Sequence, residues 1–246
     1  MPRCKWPRPN PPLLNLALEE TIYRECEDCT GVALIWVNRE SVIAGKNSRE
    51  SRDYSCRYSR RYGVPVFRRF TGGGAVYHSP DTLSVTIISR GRLSPRDLYE
   101  RYTGLIVKGL SLLGLGARVA NEGDIVVGRC KTGGSAAHIG GDKHLYHAVI
   151  SYRLPNYVSL LTPSRRDMLA RGVDPVKYMP CGLEGGPLRR EEILNAVTGV
   201  LELEGYEVYD LWRYGALLGL INRALDLAVS RATDPFWWPC KPLTAL

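Results

Sequence analysis

The sequence lacks several features that would place it in a common class. It contains no glutamine, and no apolar run approaches the roughly 20 residues of a membrane helix. The first residues carry no apolar secretory signal, and neither a GxxxxGK[ST] loop nor a GxGxxG turn occurs. A membrane protein, a P-loop nucleotidase and a Rossmann enzyme are therefore not indicated. We expect a cytoplasmic protein, and the missing glutamine favours a thermophile as its source.

Acidic residues are in the minority, with 25 against 33 basic ones and a net charge of +8. Only 7 of the basic residues are lysines, so 26 are arginines. Guanidinium groups suit phosphates, carboxylates and acidic proteins. A charge of +8 spread over 246 residues is weak support for a nucleic-acid protein, so we predict neither nucleic acid nor membrane as a partner.

The seven cysteines are an odd number and do not form the framework of a secreted disulfide scaffold. Cys26 and Cys29 form the only CxxC pair, and no second pair completes a zinc site. We interpret them as two plain thiols, with a disulfide or a structural zinc ion as open alternatives. No metal site is predicted.

Hydrophobic periodicity predicts strands and helices in mixed order. Ser94 and Pro95 indicate a helix start, since serine caps a helix and proline suits its first turn. The strand at residues 41–44 is expected to pair with the strand before it. This order predicts an α+β fold, with a mixed, largely antiparallel sheet flanked by helices. The predicted strands are 32–37, 41–44, 64–69, 83–89, 117–120, 124–127 and 145–153, and the other predicted helices are 13–23, 189–204 and 211–232.

Two segments concentrate glycines with basic and polar side chains. The first is RRFTGGGAVYH, from Arg68 to His78, where three glycines let a ligand approach the backbone. The second runs from Asp124 to Ala137, where a strand brings Lys131 into a predicted glycine turn and the next strand returns His147. Such a lysine suits an activated carbonyl or a phosphate. Taken singly, a plain turn and a solvated hairpin lysine remain the simpler interpretations.

Together these segments resemble the lipoate-protein ligase and octanoyltransferase family, whose catalytic fold is shared with biotin-protein ligases. Residues 68–78 are similar to its RRxSGGGAVxH signature, with Thr71 in place of serine. Asp124-Ile125 and KTGGSA, from Lys131 to Ala136, are similar to its NDI…KxSGSA block. Residues 15–20 and 36–46 resemble its N-terminal blocks. The likeness runs from about residue 15 to residue 186, with the four blocks in the family's order.

The resemblance implies an enzyme that activates lipoate or octanoate with ATP and magnesium, then transfers the acyl group to one lysine of a lipoyl-domain protein. It implies a catalytic Lys131 and a partner of the 2-oxoacid dehydrogenase or glycine cleavage H type. A separate accessory ligase subunit is a further possible partner. The residues implied in binding the acyl-adenylate are Arg68, Arg69, Thr71, Gly72, Gly73, Gly74, Ala75, Tyr77, His78, Asp124, Gly134, Ser135, Ala136 and His147.

A third motif supports an alternative chemistry. PCGLEG, which contains Cys181, resembles the PCGxxG loop of octanoyltransferases that use no ATP and form a thioester on the loop cysteine. Under this alternative Cys181 would be the nucleophile and would lie near Lys131. A second alternative is a non-catalytic subunit that binds an acylated carrier. ATP-dependent ligation is the leading hypothesis.

The large C-terminal domain of the two-domain ligases has no counterpart here. We therefore predict a catalytic domain at residues 1–186 and a helical extension at residues 187–246 packed on it. The aromatic run at residues 236–238 is expected to cover a hydrophobic surface. The basic and aromatic stretch at residues 52–62 is interpreted as a solvated helix face, with the docking of an acidic lipoyl domain or of nucleic acid as alternatives.

Overall fold

Two β-sheets form the centre of the computed structural model, which describes residues 5–121, 123–162, 179–184 and 188–240. The strands are β1 (Pro9–Asn10), β2 (Val32–Asn38), β3 (Ser41–Ala44), β4 (Val66–Arg68), β5 (Ala75–His78), β6 (Thr82–Arg90), β7 (Ala117–Ala120), β8 (Asp124–Val127), β9 (Cys130–Gly140), β10 (Lys143–Ser151), β11 (Met179–Pro180) and β12 (Glu207–Asp210). The main sheet has the order β1-β2-β6-β10-β9-β8-β7, with β12 beside β2 and β11 beside β9. The small sheet has the order β4-β3-β5.

The helices flank the main sheet on both faces. They are α1 (Pro12–Glu25), α2 (Cys56–Tyr62), α3 (Pro95–Leu112), α4 (Val158–Leu161), α5 (Arg190–Leu203), α6 (Leu211–Leu217) and α7 (Ile221–Thr233). α3 packs against α5 on one face, and α1 packs against α7 on the other. The neighbouring long strands β2, β6, β10 and β9 are antiparallel, so the predicted α+β class with a mixed, largely antiparallel sheet is confirmed.

Local sequence explains where α3 begins and which face it buries. The Ser94 hydroxyl accepts a hydrogen bond from the Asp97 amide at 3.1 Å, and Pro95 occupies the first turn. The side chains at one helical face, Leu98, Tyr102, Ile106 and Leu110, are buried in the main core. Burial of these side chains on the sheet is what holds the helix in place.

Three sequence predictions about elements are wrong. β3 does not pair with β2; it lies between β4 and β5 in the small sheet. The lysine block is not a turn, because β9 continues as a strand through Gly133 and Gly134. The long C-terminal helix is divided into α6 and α7 near Gly219, whose φ of +68° ends a helix readily.

The C-terminal part is joined to the rest through strand, helix and side-chain contacts. β12 adds a parallel strand beside β2, and α5 packs on α3. Buried Arg231 of α7 forms an ion pair with buried Glu20 of α1. The Trp238 ring lies 5.1 Å from that of Phe67, as expected for an aromatic run that covers the core. The boundary predicted at residues 186–187 remains a prediction.

Three cysteine pairs are disulfide-bonded: Cys26–Cys29, Cys56–Cys240 and Cys130–Cys181. The default prediction of plain thiols at the CxxC pair is therefore wrong, and the disulfide alternative is correct. In the described ranges, no helix is both long enough and apolar enough to cross a membrane.

Candidate active site

An apolar cavity lies between α1, the small sheet and the centres of β9 and β10. It encloses about 360 Å³ when the open space at its mouth is counted. Arg69, His78 and His147 add polar groups to a mostly hydrophobic wall. Its other lining residues are Leu16, Trp36, Ile43, Val76, Ser84, Gly134, Ser135, Ala136, Ala148 and Val149. An unbranched acyl chain fits such a wall, since apolar surface is removed from water when it enters.

Arg69 holds the shape of the glycine loop, residues 71–74. Its buried guanidinium donates hydrogen bonds to the Gly72 carbonyl at 2.6 Å and the Gly74 carbonyl at 3.0 Å. Nε donates to the Thr71 hydroxyl at 2.9 Å. Burial lowers the pKa of Arg69 to about 10, so the side chain is still cationic at neutral pH. Arg69 therefore uses its N–H groups to position the loop. Those groups would otherwise be available to bind an anion.

A buried carboxylate that the sequence prediction missed supports the same loop. Glu19 of α1 accepts hydrogen bonds from the Thr86 hydroxyl at 2.6 Å and from His147 Nδ1 at 3.0 Å. The other ring nitrogen of His147, Nε2, lies 3.0 Å from the Thr71 hydroxyl. The chain of contacts thus links α1 to the glycine loop through His147. In the sequence, Glu19 is marked only by its place in a pair of glutamates within the apolar stripe of α1. Such a pair normally indicates a solvated helix edge.

His78 ends β5 in the wall of the same cavity. The Asn38 amide lies 3.1 Å from His78 Nδ1, and the ring stacks near Trp36 at a centroid distance of 6.1 Å. Burial, and then the nearby Arg69 cation, lower the pKa of His78 to about 3. The imidazole is therefore neutral at physiological pH and contributes a polar contact without charge.

A second cavity meets the first at Val76, Gly134 and Val149, which line both. It encloses about 530 Å³ with the space at its mouth. Lys131 lies in its wall and forms an ion pair with Asp124, 2.6 Å from Nζ to Oδ1. The two side chains are 26% and 17% exposed, so Lys131 is oriented while its ammonium can still be reached from solvent.

Close packing explains why β9 has small residues at its centre. A Cβ on Gly133 would lie 2.1 Å from the Val149 carbonyl oxygen of β10, which no side chain tolerates. A Cβ on Gly134 would lie 3.8 Å from Lys131 Nζ, in the space between the two cavities. The Ser135 hydroxyl donates to the Gly123 carbonyl at 3.0 Å and so fixes the turn before Asp124.

Arg68, which the resemblance implies in ligand binding, lines neither cavity. It is the last residue of β4, and its guanidinium has different hydrogen-bond partners from that of Arg69, the next residue. Its guanidinium is buried and saturated by the chain itself. The acceptors are the carbonyls of Gly45, Lys46, Ser48 and Phe236 and the Tyr54 hydroxyl. Arg68 therefore anchors the turn after β3 and the C-terminal segment instead of a ligand.

Cys181 is also not placed as the thioester alternative requires. Its sulfur is bonded to Cys130, and its amide donates to the Lys131 carbonyl at 3.1 Å. A nucleophile must be a thiolate, and a disulfide sulfur is not one. Neither cavity has Cys181 in its wall.

Gly45, directly after β3, is a second residue in contact with the glycine loop that the site prediction missed. Its amide donates to the Gly74 carbonyl at 3.0 Å, and a Cβ there would lie 2.1 Å from the Gly73 carbonyl oxygen. The glycine loop can lie on β3 only because Gly45 has no side chain.

The structure brings most of the predicted residues to the two cavities and their rims. Tyr77 lines the second cavity and donates to Glu40 at 2.6 Å, and burial raises its pKa. In the part of the chain that the structure describes, no three His, Cys, Asp or Glu side chains gather as a metal ion would require. The predicted residues that line a cavity are Arg69, Ala75, Tyr77, His78, Lys131, Gly134, Ser135, Ala136 and His147, and those that support a wall are Thr71, Gly72, Gly73, Gly74 and Asp124.

Solved structures share this fold over nearly the whole chain. A Thermoplasma acidophilum lipoate protein ligase with bound lipoic acid has a TM-score of 0.72 at 21% identity, covering 94% of this chain and 95% of that one. A bipartite ligase described with its E2 lipoyl domain from the same organism gives 0.72 at 20%, covering 94% and 92%. A lipoate-protein ligase A bound with ATP gives 0.69 at 20%, covering 93% and 94%. At these identities the comparison shows the fold alone.

Sequence relatives establish the family. A protein of Aeropyrum pernix assigned by name to lipoate-protein ligase A is 37% identical over 232 residues, 92% of this chain and 88% of its own length. Lipoate–protein ligase 1 of Staphylococcus aureus is 28% identical over 81% of this chain, which spans only 63% of that protein. The profile of the family described as lipoyl protein ligase A/B catalytic domain matches residues 11–179. The chain belongs to the lipoyl protein ligase A/B catalytic domain family.

Proposed function

We propose that this protein activates lipoate, or octanoate, with ATP and transfers the acyl group to a lysine of a lipoyl domain. The family makes it an enzyme of the lipoate-protein ligase type. The observation that supports the proposal is the meeting of an apolar cavity with a second cavity that contains Lys131. The acyl chain would occupy the first, and its carboxylate would reach the second.

Two steps account for the reaction. The acyl carboxylate attacks the α-phosphate of ATP, which forms an acyl-adenylate and releases pyrophosphate. The amine of the acceptor lysine then attacks the acyl carbonyl, AMP leaves, and an amide remains. Magnesium would arrive bound to the phosphates of ATP, as it does in many nucleotide sites.

Lys131 would act on the oxygens that gain negative charge in both steps. Its Nζ lies 2.6 Å from Asp124, which orients the side chain before a ligand arrives. A preorganised cation beside a developing oxyanion stabilises the transition state more than the ground state. Thr71, His147 and Glu19 would keep the glycine loop in place beside it.

The two alternative functions are not favoured. ATP-independent transfer needs a free Cys181 thiol, and this sulfur is bonded to Cys130. A non-catalytic carrier subunit has no need for the ion pair that orients Lys131. One of the structural neighbours was solved with ATP and another with lipoic acid, which agrees with the ligase chemistry proposed for this chain.

The test is mass spectrometry of an unmodified lipoyl domain incubated with the protein. Lipoate with ATP should add one lipoyl group, and octanoyl carrier protein without ATP should add nothing. ATP-independent octanoylation that is lost in Cys181→Ser would overturn the proposal.

A second measurement concerns the accessory subunit. Pyrophosphate release with lipoate and ATP, without acceptor, reports adenylate formation alone. If release appears only after a fraction of the source cell extract is added, a separate accessory subunit is required. A cytoplasmic location and a heat-adapted source remain predictions from composition.

A further inference from the structure

A basic surface that the proposed chemistry does not use follows β3. We call it the basic rim, and it consists of the turn after β3 and helix α2. Between residues 46 and 62 it has six basic side chains against two acidic ones, and all six are exposed. The basic residues are Lys46, Arg49, Arg52, Arg57, Arg60 and Arg61.

The positive charge of the rim is largely uncompensated. Arg52 pairs with Asp53 at 2.7 Å. Within the described ranges, none of the arginines of α2 forms an ion pair with a carboxylate. The Arg57 and Arg61 guanidiniums lie over the rings of Tyr58 and Tyr62, 5.7 and 5.9 Å from the centroids. Stacking of this kind restricts an arginine without neutralising it.

The turn of the rim lies directly on the glycine loop. The Lys46 amide donates to the Thr71 carbonyl at 2.8 Å, and the Ser48 hydroxyl donates to the Gly73 carbonyl at 3.1 Å. Arg68 holds the other side of this turn through three of its carbonyls. The position of the rim is therefore fixed relative to the loop.

The helix of the rim reaches the wall of the Lys131 cavity through aromatic rings. Tyr62 stacks on Tyr157 with centroids 4.4 Å apart. The hydroxyls of Tyr157 and Tyr77 both donate to one oxygen of Glu40, each at 2.6 Å. Tyr77 lines the cavity, and so does Val158, next to Tyr157. Helix α2, which carries three of the arginines, is thus linked to the wall of the Lys131 cavity through side-chain contacts.

We propose that the basic rim binds an acidic face of the acceptor domain and guides its lysine to the carbonyl beside Lys131. This inference rests on the proposed function, which requires a folded protein domain at the Lys131 cavity. A cluster of side chains with charge of one sign steers an oppositely charged partner and selects its orientation. Arginines already stacked on tyrosines lose less conformational freedom when the partner binds.

An acidic protein fits this surface better than a single-stranded nucleic acid does. Nucleic-acid grooves offer open aromatic faces on which bases stack. Here Tyr62 is engaged by Tyr157 and Arg61, and Tyr58 lies beside Arg57. The rim offers charge, with its aromatic faces already occupied.

The experiment compares two double charge reversals with equal change in net charge. Arg57→Glu/Arg60→Glu alters the rim at exposed positions outside the catalytic and binding residues. Arg92→Glu/Arg96→Glu is the control. Arg92 and Arg96 are exposed and follow β6, whose last residue Arg90 pairs with the start of β10, the sheet end opposite Lys131. Circular dichroism confirms that both variants fold.

Four quantities are measured for each variant: pyrophosphate release without acceptor, KM and kcat with an unmodified lipoyl domain, and the Kd of that domain from titration calorimetry. The rim variant should release pyrophosphate like the wild type, while its KM and Kd rise about 10-fold or more. Wild-type affinity should fall with salt, and the rim variant should lose much of that dependence. The control variant should match the wild type.

An unchanged KM and Kd in the rim variant would overturn the proposal, even if the variant lost affinity for a single-stranded RNA probe. Equal losses in the rim and control variants would also overturn it, because net charge alone would then explain them. If the wild-type protein releases no pyrophosphate even after the extract fraction is added, but its Kd still depends on the rim, the proposed function fails and the docking surface stands.

Discussion

Replacing Gly45 with alanine should displace the glycine loop by a distance that the structure sets. The new Cβ would lie 2.1 Å from the Gly73 carbonyl oxygen and 2.7 Å from the Gly72 carbonyl oxygen. Close carbon–oxygen contacts in proteins are about 3.3 Å, so the loop must retreat by about 1 Å. Neither contact is with a flexible side chain, so only a shift of the backbone can relieve the clash.

Two effects of different size follow from that shift. Overpacking of this kind costs about 1–3 kcal/mol of folding free energy. A displacement of about 1 Å at a site that orients reacting groups lowers the rate by about 10²-fold. We therefore expect Gly45→Ala to fold, to lose a modest part of its stability, and to lose most of its adenylate formation.

Two glycines of α3 provide matched controls. A Cβ on Gly109 would lie 2.9 Å from the Val197 Cα of α5, so Gly109→Ala should also lose stability, away from the cavities. A Cβ on Gly104 meets no atom within 4 Å, so Gly104→Ala should be neutral or gain up to about 1 kcal/mol from helix propensity. Urea unfolding gives the stabilities, and pyrophosphate release gives the activities.

The reasoning is refuted if Gly45→Ala forms adenylate within a few-fold of the wild type. It is also refuted if Gly109→Ala, at a similar loss of stability, loses as much activity. Only a loss of activity specific to Gly45 supports the contact between β3 and the glycine loop.

Three further predictions concern single side chains. Lys131→Ala should fold normally, because Lys131 and Asp124 are both partly exposed, yet lose about 10²-fold or more in acyl transfer; near wild-type turnover would contradict its role. Arg231→Met should cost about 1–3 kcal/mol in urea unfolding, because the buried Glu20 carboxylate loses this partner and keeps its ion pair with the more exposed Arg24, and Glu20→Gln/Arg231→Met should recover part of that cost. The native state keeps His78 unprotonated down to about pH 3, whereas the unfolded chain binds that proton below its ordinary pKa of 6.5. Stability is therefore lost as pH falls from 6.5 towards 3, and His78→Asn should show a shallower fall in Tm between pH 7 and 5 than the wild type.

The glycine loop and Lys131 could be singled out from the sequence because each lies in a contiguous block that resembles a family signature, and the role of Lys131 remains a prediction. The different contacts of Arg68 and Arg69 could not be predicted from the sequence. The two are neighbours at the end of β4, and their partners come from residues as distant as Phe236. Alternation along a strand predicts that neighbouring side chains face opposite ways, but not which of the two lines the cavity.

The errors in strand pairing and in the missed site residues also have physical causes. Every residue of β2 and β3 is buried, so no alternation of polar and apolar residues showed that β3 leaves the main sheet. Glu19 lies in a helix that is buried on almost every side, so its burial does not stand out in the sequence. Its partner His147 is 128 residues away along the chain. A contact of that range has no local signature.

The bond between Cys56 and Cys240 joins positions 184 residues apart, so most of the protein is one covalent ring. In the chain-entropy model, closing a ring of this length limits the unfolded chain enough to stabilise the native state by about 5 kcal/mol. It also changes what a protease can release. A single cut anywhere in the ring leaves one molecule with two new ends, and the fragments separate only after reduction.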